Sequence, residues 1–114
     1  MRPNLAAFLT AIGIAATLAI ADRTTAEDAA AIQKRGEALL AKNCARCHAI
    51  GRTGASPHPD APAFRTLSRK YPIEGLAESL AEGLFTGHPD MPEFTFEADE
   101  VGAILSFLES IQER

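Results

Sequence analysis

The sequence predicts an all-α domain, and three observations carry that expectation. Apolar residues recur at helical spacing in three separate segments of the 114-residue chain, and the stretches between them are rich in Gly and Pro. Val101 is the sole valine, and no run alternates in the manner of a strand. With 46% apolar and 23% charged residues and two cysteines, the composition excludes collagen, a disordered tail and a disulfide-dense scaffold, and leaves room for one small domain.

The first residues read as an address. Met1-Arg2 precedes the uncharged stretch 5–21, which ends in Ala19-Ile20-Ala21, a small-x-small cleavage site, so residues 1–21 are expected to be a secretory signal peptide and 22–114 the domain. Seventeen residues are also the lower limit for crossing a bilayer, so an uncleaved membrane anchor is the competing reading. A buried helix of the domain is a third reading, disfavoured because a stretch apolar all round leaves nothing to bury it. Removing 21 residues from 114 leaves 93, and losing Arg2 takes the net charge from -4 to -5. A domain of that size commonly recruits a disulfide, a metal or a cofactor. An acidic, exported, periplasmic chain gives no support to nucleic-acid binding.

Within the domain, residues 26–43 carry Ile32, Gly36, Leu39 and Leu40 at i, i+4, i+7 and i+8, an amphipathic helix. Gly36 in its middle costs about 1 kcal/mol relative to Ala, so a close approach of another helix is expected there. Residues 49–62 hold Gly51, Gly54, Pro57, Pro59 and Pro62 and read as a loop. A short helix follows over 64–70. Pro72 then fits the first turn of a helix with Leu76, Leu80 and Leu84, ending near Gly83 or Gly87. After the loop 87–92, a last helix over 97–112 aligns Val101, Ile104, Leu105, Leu108 and Ile111, with Glu97, Asp99 and Glu100 at its N-terminal end. There is no internal repeat or low-complexity run.

Both cysteines fall in Cys44-Ala45-Arg46-Cys47-His48, which is C-x-x-C-H, the attachment signal for a c-type haem. Two thiols on one turn of chain can each add to one of the two vinyl groups along a porphyrin edge. The adjacent histidine then lies where a neutral imidazole nitrogen can bind the iron. A structural zinc site needs four ligands, and His58 and His88 supply no recognisable second pair. A thioredoxin-like dithiol belongs beside a βαβ pattern, which is missing, and a plain disulfide leaves His48 unexplained. For the second axial position Met91, His58 and His88 are the candidates. Met91, in a short loop between Pro89 and Pro92 and outside any apolar period, is better explained as a ligand than as core. His88, three positions away, competes with it, whereas His58 reads as a solvated loop histidine.

Taken together, Cys44, Cys47, His48 and the segment Met91-Pro92-Glu93-Phe94 resemble the class I monohaem cytochromes c, and the likeness covers essentially all of 22–114. It implies a cytochrome c fold, with three to four main helices and loops wrapped around one covalently attached haem c. Cys44 and Cys47 would be the attachment points, with His48 and Met91 as iron ligands. It further implies that the first and last helices cross at Gly36 against Phe107, and that a loop proline carbonyl, for which Pro62 is chosen, accepts the hydrogen bond of His48. The four-helix cytochrome c′ type carries its motif near the C-terminus and is disfavoured.

The expected function is single-electron transfer with no substrate and no enzyme activity, because two axial ligands leave no vacancy on the iron. The implied partners are redox proteins: a dehydrogenase, a reductase or a terminal oxidase. If the signal is cleaved, no membrane span remains in the mature form, which is expected as a monomer or a subunit of a complex. Two alternatives are a cytochrome subunit of a periplasmic dehydrogenase and a haem-based ligand sensor with a displaceable Met91. Charge is lopsided: residues 23–70 hold nine basic and four acidic groups, whereas 71–114 hold one basic and ten acidic. Solvated helix faces account for this, as does a dipole that steers a partner.

Overall fold

The structure is a computed structural model that describes residues 9–83 and 89–114, the side chains of 9–24 excepted. The chain divides into two compact units, Met1–Ala31 and Ile32–Arg114. Helix α1 spans Leu9–Asn43, α2 Ala77–Glu82 and α3 Ala98–Ile111, with 3₁₀ helices at Phe64–Arg69 and Ile73–Leu76. Among the described residues there is no strand, as expected.

α1 begins well before the expected start near residue 26, because the apolar period marks only the face that packs, whereas Ala-rich chain continues the helix by propensity. The side chains of the expected signal segment, 1–21, lie outside the described residues. No described helix is long and apolar enough to cross a membrane. From Thr25 to Ala31 α1 is exposed, and Ile32, expected on the apolar face, is 49% exposed. Burial starts one turn later, at Gly36.

The reason for Gly36 is then visible. A Cβ built on it would overlap the carbonyl of Ala103 and stand 3.0 Å from the Cβ of Phe107, so α1 and α3 touch backbone to backbone at this point. Leu40, one turn on, is almost fully buried and joins Ile104, Leu108 and Phe107 in the core. α3 is started by a capping box in which the Glu97 N–H donates to Glu100 Oε2 at 3.0 Å. Its buried face is wider than the expected stripe: Ala103 and Phe107 are buried with Val101, Ile104, Leu108 and Ile111, while Leu105 is only half-buried.

Between these helices the chain is tighter than α. The segment expected as a helix over 64–70 is a 3₁₀ helix, held by side chains from beyond α3. Gln112 Nε2 donates to the Phe64 and Leu108 carbonyls at 2.8 Å each, and its Oε1 accepts the Ser68 N–H at 2.9 Å. Glu113 accepts from Arg65 at 3.0 Å and Arg69 at 2.6 Å. Phe64 and Leu67 are thereby pressed onto α3 at i, i+3, the spacing that a 3₁₀ turn places on one side. Pro72 sits at the N-cap position rather than inside the first turn (φ -61°, ψ 138°). The following turn is 3₁₀ over Ile73–Leu76 before it relaxes to α2, which ends at Glu82. Leu84 and Gly87 lie outside the described residues.

Two outcomes follow. Gly36→Ala should lower unfolding free energy by about 1–3 kcal/mol, read as a fall in the guanidinium midpoint of the intact protein at constant m, because the helices must part to admit the methyl. The exposed Arg35 guanidinium lies 2.8 Å from Asp99 and holds that carboxyl below its ordinary 3.8, chiefly by the hydrogen bond. A lowered folded pKa stabilises above the unfolded value and is lost as pH falls through the folded one. Arg35→Gln should therefore move the Asp99 titration seen by NMR back towards 3.8 and reduce the acid-side loss of stability.

Candidate functional site

The C-x-x-C-H motif is wound as a continuation of α1. The Cys44 N–H donates to the Leu40 carbonyl at 2.8 Å, and the N–H groups of Cys47 and His48 both donate to the Cys44 carbonyl, at 3.1 and 2.9 Å. One turn thus carries both thiols, which are free and half-buried, and sets the imidazole just beyond them. Because α1 is pinned to α3 at Gly36, the whole motif is carried to a fixed place beside Ile104 and Leu108.

His48 is oriented from the loop that follows. Its Nδ1 donates to the Pro62 carbonyl at 2.8 Å, so of the three loop prolines Pro62 holds the ring, as expected. With the proton on Nδ1, Nε2 keeps its lone pair for another partner. The Phe64 ring lies 4.6 Å from the imidazole at 33°, and the Phe64 N–H ties back to the Ala49 carbonyl at 2.9 Å. The loop between is closed by Ser56 Oγ, which accepts the Ala49 N–H at 3.0 Å.

Met91 is brought to the same site by a different loop. Its loop is held after α2 by Gly83, whose φ of +118° favours glycine and where a Cβ would overlap the Glu93 carboxylate. Further along, the Phe96 N–H donates to the Leu80 carbonyl at 2.9 Å, and Phe94 and Phe96 stack 6.4 Å apart.

Cys44, Cys47, His48 and Met91 all border one cavity of about 560 Å³, walled by core residues such as Leu40, Leu67, Leu80 and Ile104. That volume is of the size that takes an organic cofactor. His88 lies outside the described residues. His58, expected as a solvated loop histidine, keeps 29% of its side chain exposed and also borders the cavity, with Nε2 3.4 Å from Asp90. Tyr71 on the rim and the pairing of His58 with Asp90 escaped the sequence reading, since contacts between loops leave no period.

The chemistry of the donors discriminates among the readings of the motif. Burial pushes the Cys44 thiol up to about 11, opposite to the lowered value that a redox dithiol requires. Among the described residues no group of three or more His, Cys, Asp or Glu is placed to hold a metal ion unaided. Two thiols, an imidazole nitrogen and a thioether around an apolar cavity fit an iron macrocycle.

Residues 24–108 match the family described as "Cytochrome C oxidase, cbb3-type, subunit III". The chain belongs to that family. No curated protein and no solved structure matches it. The helical unit is accordingly a cytochrome c domain, and the protein a c-type cytochrome that carries electrons.

The turn at Gly83 offers a paired test on this cytochrome. Gly83→Ala should cost about 1–3 kcal/mol from backbone strain, while the exposed Glu93 carboxylate can swing aside. Gly75→Ala, where a Cβ meets nothing within 4 Å, should be neutral or slightly stabilising. Thermal unfolding of the two variants side by side checks both.

Proposed function

We propose that this chain is exported by residues 1–21 and works in the periplasm as a monohaem electron carrier. In this reading Cys44 and Cys47 hold one haem c through thioethers, and His48 and Met91 are the iron ligands. The observation that carries it is the meeting of these four side chains on one apolar cavity, with His48 already turned by Pro62 so that Nε2 is its available nitrogen.

Bound there, the haem supplies one-electron ferrous/ferric chemistry. The residues of the chain set the conditions for it. Pro62 fixes the tautomer of His48 and raises its basicity as a ligand. The Met91 thioether is a soft, neutral donor, which favours the ferrous state and raises the potential relative to two histidines. Leu40, Leu67, Leu80 and Ile104 exclude water, which also disfavours the more highly charged ferric state. Two protein ligands leave no position for oxygen or peroxide, consistent with carrying electrons rather than catalysing turnover.

The family description favours a second reading of the partnership: the cytochrome is a subunit or an immediate donor of a terminal oxidase. The dehydrogenase-subunit and ligand-sensor alternatives have no comparable observation behind them. The acidic half of the chain, 71–114, suits a partner with a basic docking face.

Visible spectra test the ligand set. The ferric protein should show the long-wavelength thioether-to-iron band, Met91→Ala should abolish it and lower the reduction potential, and His88→Ala should leave both unchanged. A band that survives in Met91→Ala, or is lost in His88→Ala, contradicts this ligation.

A further inference from the structure

We infer that His58 and Asp90 form a clasp that positions Met91, so that one short stretch of loop indexes both His48 and Met91. This rests on the proposed His48/Met91 ligation.

The His58 backbone N–H donates to the Cys47 carbonyl at 3.1 Å, which fixes His58 to the haem-attachment turn itself. Its ring Nδ1 accepts the Asp60 N–H at 3.2 Å, so the ring proton resides on Nε2. That Nε2 reaches Asp90 Oδ2 at 3.4 Å, and Asp90 immediately precedes Met91. The Ala61 N–H donates to the His58 carbonyl at 3.2 Å and closes a tight turn, and the next residue is Pro62, which holds His48. His58 and Pro62, four positions apart, therefore bond to two different partners on the cavity, one to Asp90 beside Met91 and one to His48. On the far side of Met91, the Phe96 tie to Leu80 comes five residues later, too distant in the chain to hold Met91 by itself.

The side chains are 29% exposed for His58 and 73% for Asp90, so the contact adds little to global stability. Its effect is local. It opposes the opening of the Met91 segment, the step that must precede any displacement of the thioether.

The test is imidazole binding to the ferric, haem-loaded protein, followed by loss of the thioether-to-iron band. Imidazole binds once Met91 leaves, so His58→Ala and Asp90→Ala should each tighten it by about 1.5- to 5-fold, the scale of one exposed pair. The double variant should gain no more than either single one. Asp90→Asn keeps an acceptor for Nε2 and should stay close to the unaltered protein, a rescue that a general loosening would not give. Because Asp90 is exposed, its variants keep the measurement interpretable if His58→Ala fails to fold. Unchanged imidazole affinity in Asp90→Ala, or additive gains in the double variant, overturns the clasp. Met91→Ala separates the two levels. If it does not tighten imidazole at all, the Met91 ligation fails; if it does while Asp90→Ala does not, the clasp alone is wrong.

Discussion

The contact of Gly36 with the backbone of Ala103 is the constraint on which the rest of the domain depends. A hydrogen in place of a methyl lets two helices approach until main chain meets main chain, and that distance fixes where α1 ends. Since the attachment motif is the continuation of α1, its two thiols and imidazole inherit their position from a residue two turns earlier. The same crossing brings Leu40 against Ile104 and Leu108 to form one wall of the cavity. The far end of α3 is secured differently, by Gln112 and Glu113 gripping the 3₁₀ segment that carries Phe64 and Leu67. Phe64 then lies tilted against His48, so the helix crossing and the C-terminal end of α3 both bear on the one site.

Polar contacts are spent on orientation, and apolar contacts on enclosure. Among the described residues no buried polar or charged residue enters the core, and no buried side-chain nitrogen or oxygen lacks a partner. The hydrogen bonds that matter for the site run from loops: Pro62 to His48, Ser56 to Ala49, Asp90 to His58. A small domain with a cavity at its centre is incomplete without a filling group, and a covalently attached one cannot dissociate when the loops open.

The parts legible in the sequence are those with a period, a fixed spacing or a forbidden conformation. The last helix, the C-x-x-C-H turn and the need for Gly36 each follow from one of these, and the likeness to the cytochromes c added Phe107 and Pro62. The start of α1 was not legible, because helix propensity continues beyond the residues that pack. Ile32 has the right spacing for the apolar face and stays half exposed, since a period shows that a face exists but not how far its partner extends along it. The 3₁₀ character of 64–69 is imposed from outside by Gln112 and Glu113, some 45 residues away in sequence. His58 looked like a solvated loop residue because its partner, Asp90, lies 32 positions away in another loop. Such pairings are tertiary facts that neither segment announces alone.

The central claim is that this cavity is filled by one haem bonded through Cys44 and Cys47. The most direct measurement is the intact mass of the purified, fully denatured protein after export. The account predicts a single species with the mass of residues 22–114 plus one haem, unchanged by reduction. A bare polypeptide mass, with haem lost on denaturation or with two hydrogens gained on reduction of a disulfide, would contradict it.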